Sequence, residues 1–363
     1  MTETLNSEQV VRCPICVDEF VWRPEPTVAV YDTKQSQYRS VDVSRMPAGK
    51  RADVIRTGYR QCPNPSKDTP AHFLPATYAS YLPPLVIGLV GAARAGKTHL
   101  LTAMIREVYR GGLSPYGVRA AALDFRRHEA FQRRFIRPFD AGGALAGTGT
   151  GVIDAADILL LRGPGGQRPV AFFDVAGEDL ESTEALNRST RFLTGADAVI
   201  FVQGLEDPPG DGLPTAAATS GWSFELAVER LQDLPYAADR MPVTIAVTKS
   251  DRLRYVSPMD RWMAPREAPV LDATRIREQS RDVYAYLHHT GAAASLRPFE
   301  AFRRCTLHFV SASGGDALDG ETDSDPAYFP RGVHPVNVLD PLISILAMTG
   351  MITGPEAQKV GMP

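Results

Sequence analysis

The octapeptide Gly91-Ala92-Ala93-Arg94-Ala95-Gly96-Lys97-Thr98 constrains this chain more than any other stretch. It follows the apolar run Leu85–Val90 and opens Thr98–Arg110, where Leu100, Leu101, Met104, Ile105 and Val108 recur at helical spacing. A strand, a G-x4-G-K-[ST] loop and an amphipathic helix in that order make a phosphate cradle. Phosphate oxygens need several backbone N–H groups converging at a helix N-terminus, and glycine allows the loop its tight path. Lys97 supplies a point charge for the β- and γ-phosphates, and the Thr98 hydroxyl suits Mg²⁺. Gly91, Ala93, Arg94, Ala95, Gly96, Lys97 and Thr98 are therefore candidate nucleotide contacts. His99 joins them by position, and by itself reads as a helix-surface side chain.

At 363 residues the chain is long enough for one large domain, or for a domain with an appendage. Its 44% hydrophobic and 22% charged content is ordinary for a soluble globular protein. A net charge of −3 gives no general attraction to nucleic acid or an anionic membrane, local basic patches aside. Met1–Val10 is polar, unlike a secretory signal, and runs such as Pro83–Val90 and Ala196–Val202 are too short to span a bilayer. The expectation is a cytoplasmic protein with no transmembrane segment and no nucleic-acid partner.

Along the chain, Trp22–Arg60 carries short β-prone runs (Thr27–Tyr31, Tyr38–Val43, Asp53–Arg56), and the Pro-rich Pro63–Pro75 follows. These features predict a small sheet-rich, non-helical unit over residues 1–80 and a larger domain over 81–363. In the larger part, strand-like Val118–Leu123, Ala198–Gln203, Val243–Thr248 and Thr306–Ser311 alternate with helical Arg126–Arg137, Leu180–Leu193, Phe224–Leu234, Asp272–His289 and Val338–Met348. Asp157–Leu161 and Pro169–Phe173 bracket a turn, predicting a hairpin and one antiparallel edge strand. The alternation implies an α/β domain with a mostly parallel sheet covered on both faces.

Two segments refine the nucleotide reading. Pro169–Phe173 ends in Asp174-Val175-Ala176-Gly177-Glu178-Asp179. Asp174, at a strand end beside the cradle, suits Mg²⁺ through water, and Gly177 can present its N–H to a γ-phosphate with no Cβ in the way. Val243–Val247 leads into Thr248-Lys249-Ser250-Asp251. Guanine carries N1–H and N2–H₂ donors on one edge, so Asp251 can accept two charge-assisted hydrogen bonds there. Adenine offers a bare lone pair instead and leaves the carboxylate unpaired. Lys249 can lay its aliphatic stem on the purine. Ser311-Ala312-Ser313-Gly314 ends another strand, where the Ala312 N–H can reach the guanine O6.

Three of the four cysteines fall in the first 62 residues. Cys13-Pro14-Ile15-Cys16 is a C-x2-C knuckle, Cys62-Pro63 resembles the start of a second, and His72 is the best candidate for a fourth ligand. Tetrahedral Zn²⁺ needs four such ligands and supplies folding energy that a small sheet lacks; reduced cysteines in a packed unit are the alternative. Cys305 reads as a core residue.

The four nucleotide motifs together resemble the Ras-like P-loop small GTPases of the translation-factor-related class, over about residues 84–350. With the N-terminal cysteines, D-x-A-G-E-D is more narrowly similar to the zinc-knuckle-bearing GTPases of bacterial double-GTPase systems. The resemblance implies a Ras-like P-loop NTPase fold, preceded by a small β-rich, zinc-ribbon-like module. It further implies GTP/GDP exchange with Mg²⁺, slow GTP hydrolysis that a partner accelerates, and a protein effector or regulator, a second GTPase being one such partner. The family also needs a threonine in the first switch loop to coordinate Mg²⁺; Thr148 and Thr150 are the candidates, with Thr150 preferred. Lys97, Thr150 and Glu178 are then the catalytic set. Glu178 stands where members often carry a water-positioning Gln, and the Ala93 methyl can obstruct a partner's arginine finger. Arg94 is either a solvated charge or an in-cis stabiliser. An ATP-using P-loop enzyme and a hydrolysis-deficient, nucleotide-bound scaffold are the competing readings.

Overall fold

The computed structural model describes residues 9–23, 25–66, 69–146, 155–174, 192–207, 212–216, 219–235, 237–264, 270–320 and 326–362. At the N-terminus, β1 (Gln9–Arg12) and β2 (Glu19–Trp22) pair antiparallel around the first two cysteines. A second antiparallel sheet follows from β3 (Thr27–Asp32), β4 (Gln37–Asp42), β5 (Tyr59–Gln61) and β6 (Phe73–Pro75), in the order β4-β3-β5-β6. Between β4 and β5 lies α1 (Ala48–Thr57), which corrects the expectation of a non-helical unit with a β-prone Asp53–Arg56. Pro47 precedes its first turn without costing a hydrogen bond, and Val54 and Ile55 both pack onto Val28, Val43 and Ala76. One-sided packing of these two half-buried residues, not their β-branching, decides that segment.

From residue 85 the chain alternates. First come β7 (Leu85–Val90), α2 (Lys97–Tyr109), β8 (Arg119–Ala122) and α3 (Phe125–Phe131), which runs through a π turn into α4 (Arg137–Asp140). The hairpin β9 (Ala155–Gly163) and β10 (Gly166–Asp174) is followed by β11 (Ala198–Gln203). The short pair β12 (Leu205–Glu206) and β13 (Thr215–Ala216) precedes α5 (Thr219–Gln232) and α6 (Ala237–Arg240). Then come β14 (Pro242–Val247), α7 (Met259–Met263), α8 (Ala273–His289) and α9 (Arg297–Ala301). The last are β15 (Arg304–Phe309), α10 (Asp340–Met348) and α11 (Pro355–Lys359).

Seven strands form one sheet in the order β15-β14-β11-β7-β10-β9-β8, parallel from β15 to β10. The hairpin's antiparallel strand is not at the edge as expected. β8 pairs with the outer side of β9, so β9 lies inside and β8 closes the sheet.

Alternation along each strand builds the two faces. Leu85, Ile87, Leu89, Val170 and Phe172 point to one side, into the core formed with α2 and α10. Val199, Phe201, Val243 and Ile245 point to the other, against α5 and α8. On that second face, Val86, Ile158, Leu160, Ala171 and Phe173 meet Cys13, Cys16, Cys62, Leu74 and Tyr78. The N-terminal unit thus occupies the part of the sheet face over β9 and β10. Cys305 is buried in the second core. Among the described residues, no helix is long and apolar enough to cross a membrane.

Candidate functional site

The cradle loop leaves β7 at the centre of the sheet. Gly91 is required there, because a Cβ would stand 2.4 Å from the Val202 carbonyl oxygen of neighbouring β11. Gly96 opens α2 at φ +85, in the left-handed region that glycine tolerates. Arg94 holds φ 60 without that freedom, and it is exposed, as is Ala93. Lys97 is 7% exposed, and its Nζ donates to the carbonyls of Gly91 (2.8 Å) and Ala92 (2.9 Å). β10 runs parallel beside β7 with Asp174 opposite Leu89, which brings the carboxylate to the cradle. Thr98 Oγ1 donates to Asp174 Oδ2 at 3.0 Å.

The Thr248–Asp251 segment reaches the same edge from β14, two strands away. Thr248 Oγ1 donates to the Ala95 carbonyl at 2.6 Å, and Thr248 N–H donates to the Gln203 carbonyl at 2.8 Å. Two sequence-distant loops are therefore bonded directly together. Lys249 sits at φ 59, its Nζ 3.4 Å from the Leu205 carbonyl; burial and then the charge of Arg252 hold its ammonium below the usual lysine range. Asp251 is 6% exposed. Its Oδ1 accepts from Ser311 Oγ at 2.6 Å, and Oδ2 lies 3.6 Å from Arg254 Nη2. The same Ser311 Oγ accepts the Gly314 N–H at 2.8 Å, and Ser250 N–H donates to the Val310 carbonyl at 3.2 Å. Ser311 and Ala312 thus lie beside Asp251. A cavity of about 610 Å³ adjoins it, walled in part by Tyr255, Phe329, Arg331 and His334. Gly177, Glu178 and the first-switch candidates Thr148 and Thr150 lie outside the described residues.

His99 corrects the helix-surface expectation. Its ring packs edge-on to Phe139 and Phe329, at centroid distances of 5.9 Å each, and its Nε2 accepts the Leu145 N–H at 3.0 Å. Burial, helped by the Lys249 charge, pushes its pKa down to about 4, so the ring is neutral as the bond requires. Two further features escaped the sequence reading. Gly204 follows β11, and a Cβ there would stand 2.9 Å from Ala95 Cα; its place after an apolar run is the signal that marks it. The stretch Ala327–Phe329 exchanges backbone hydrogen bonds with Gly142–Ala144, tying the loop after β15 to the segment that leads toward residue 148. Nothing in the local sequence announces that pairing.

The N-terminal cysteines and His72 form a second candidate site. One ligand atom from each of Cys13, Cys16, Cys62 and His72 lies within 4.8 Å of the others, and all four residues are buried. Cys16 and Cys62 sulfurs are 3.7 Å apart, and Cys13 Sγ lies 3.2 Å from His72 Nε2. Tetrahedral zinc with Zn–S bonds of about 2.3 Å sets an S···S edge of about 3.8 Å, so the spacing fits. His72 Nδ1 donates to the Pro70 carbonyl at 2.8 Å, which turns Nε2 toward the sulfurs. Hydrogen bonds from the Cys13 and Cys16 thiols draw Cys62 down to about 3, while burial pushes Cys13 up. A thiolate held among buried thiols is a donor set for a soft cation.

No protein-family model and no curated protein sequence matches the chain. Among solved structures, it is similar to a bacterial selenocysteine-specific elongation factor, EF-Sec, at 14% identity and a TM-score of 0.30, over 75% of this chain and 30% of that one. A protein of Thermus thermophilus is similar at 15% identity and a TM-score of 0.29, over 76% of this chain and 41% of that one. The chain thus spans less than half the length of either. Likeness at this level carries no functional weight, and function rests on the residues themselves.

Proposed function

We propose that residues 81–363 form a P-loop nucleotide domain that binds GTP and GDP with Mg²⁺ and hydrolyses GTP slowly, as a switch signalling to a protein effector. The observation that carries this reading is the 2.6 Å bond from Thr248 Oγ1 to the Ala95 carbonyl, which fixes the carboxylate loop against the phosphate cradle. One ligand can then meet both loops. The Lys97 ammonium neutralises phosphate charge, backbone N–H groups of residues 94–98 donate to its oxygens, and Asp251 selects the guanine edge.

The oxygens of Thr98 and Asp174 suit the metal. Thr98 would hold the ion through its hydroxyl, and Asp174, whose carboxylate accepts from that hydroxyl at 3.0 Å, would hold it through a bound water. When bound, the ion would neutralise charge on the β- and γ-phosphate oxygens. Glu178 would orient the attacking water, with Thr150 and the Gly177 N–H completing the γ-phosphate contacts. The carboxylate of Glu178 would also repel the γ-phosphate, which is why slow turnover is expected. Residues 1–80 would be a zinc-ribbon-like unit held by Cys13, Cys16, Cys62 and His72, with zinc in a structural role.

Competition of GTP, GDP and ATP against a labelled nucleotide, on the wild type and Asp251→Ala, tests the assignment. Two hydrogen bonds to a charged group at about 1.5–3 kcal/mol each give a GTP preference of roughly 10²–10⁴-fold, which the variant abolishes. Equal affinity of the wild type for ATP and GTP would refute guanine selection.

A further inference from the structure

At the opposite end of β15 from Ser311 lies a cavity of about 520 Å³, framed by α8, α9 and the chain's last described residues. Thr306 of β15 lines the cavity five residues before Ser311, so about 17 Å of extended chain separates the two. Its floor is hydrocarbon: Ile276 and Tyr284 from α8, Phe299 and Phe302 from around α9, and Met362. Phe299 and Met362 are 37% and 47% exposed, so apolar surface stays open to solvent here.

The rim is cationic. Arg277 and Arg281 stand one turn apart on α8, and Arg303 borders the same cavity from the start of β15. Among the described residues none of these three makes an ion pair, and no carboxylate lines the cavity. The fourth cation, Lys359, is held by Glu356 at 2.6 Å. The Arg277 charge also acts on Glu356, whereas Arg281 and Arg303 make no ion pair among the described residues, and such guanidinium groups beside an open apolar floor favour an occupant with both chemistries. The volume lies within the range of small-molecule pockets, which pair a largely apolar lining with a few fixed polar groups.

We propose that this groove binds an amphiphilic carboxylate, its hydrocarbon body on Ile276, Tyr284 and Phe302 and its head on Arg277, Arg281 and Arg303. The planar guanidinium fork pairs with a carboxylate through two parallel N–H···O bonds, which selects an anionic head over a neutral or cationic one.

Calorimetric titration with dodecanoate, kept in its monomeric range, tests this on the full chain. One saturable site per chain is expected, with dodecyltrimethylammonium failing to bind. The double variant R281E/R303E should weaken dodecanoate binding tenfold or more while thermal melting stays unchanged. Should that variant not fold, Ile276→Trp fills the floor without altering charge and should also abolish binding. The proposal fails if dodecanoate does not saturate, if the cationic amphiphile binds equally, or if folded R281E/R303E binds like the wild type. It also fails if an acidic helical peptide of leucine and glutamate displaces dodecanoate at lower concentration, which would make the groove a protein-docking surface.

Discussion

Replacing Thr248 by valine removes the bond on which the nucleotide reading depends, together with a longer contact of the same hydroxyl to the Gln203 carbonyl at 3.2 Å. The two side chains have nearly the same volume, but valine puts a methyl where the hydroxyl donates to Ala95 at 2.6 Å. Thr248 is 2% exposed and Ala95 3% exposed, so water cannot replace the lost donor. An unsatisfied buried carbonyl costs about 1–3 kcal/mol. A methyl carbon also cannot approach a carbonyl oxygen much closer than about 3.3 Å, so the cradle must recede by roughly 0.7 Å. Gly96 would move with it, since Gly96 faces the same hydroxyl and a Cβ built there would stand only 3.3 Å from it. Misplaced N–H groups should weaken GTP, GDP and ATP alike, by roughly 10–100-fold, while the midpoint of thermal unfolding falls by about 2–10 °C. Thr248→Ser keeps the donor and should recover most of the affinity. Equilibrium binding and differential scanning fluorimetry on the three proteins read both quantities. If the valine variant loses stability but binds nucleotide like the wild type, the bond is only a structural tie and the reasoning is wrong.

Three other perturbations follow from the same geometry. His99 has a folded pKa near 4 against an ordinary value of about 6.5, so its contribution to stability is full above about pH 6.5 and lost as pH falls toward 4. Urea unfolding should show at most about 2 kcal/mol more loss between pH 7.5 and 5 in the wild type than in His99→Gln. Metal analysis should find one zinc per chain; Cys62→Ser should release it and lower the unfolding midpoint by at least about 5 °C, and a zinc-free wild type of unchanged stability would contradict the structural role. Gly91→Ala sets a methyl 2.4 Å from the Val202 carbonyl and should reduce nucleotide affinity at least about tenfold in the same titration.

The alternating elements were legible because strand and helix periods are local properties of the chain. The limits of the sheet were not. Whether β9 is an edge depends on β8, whose Arg-Ala-Ala-Ala stretch carries little β signal. The cysteine set could be assembled from the sequence even though Cys62 and His72 are ten residues apart, because β5 and β6 pair and carry on into a Cys62 N–H bond to the His72 carbonyl at 3.0 Å. His99 was misread for the converse reason. Its neighbours Phe139 and Phe329 come from far along the chain, and no helical pattern predicts them. The same holds for the bond between Thr248 and Ala95, which neither motif contains.

The seat of the first eighty residues on the strands has a practical corollary. Trimming the chain to the proposed nucleotide domain would strip cover from Val86, Ile158, Leu160, Ala171 and Phe173, leaving a greasy panel facing water. Phe173 immediately precedes the acid that meets Thr98, so that panel is also the backing plate of the strand end that carries Asp174. Anyone dissecting this molecule by deletion should expect insolubility before any lesson about signalling.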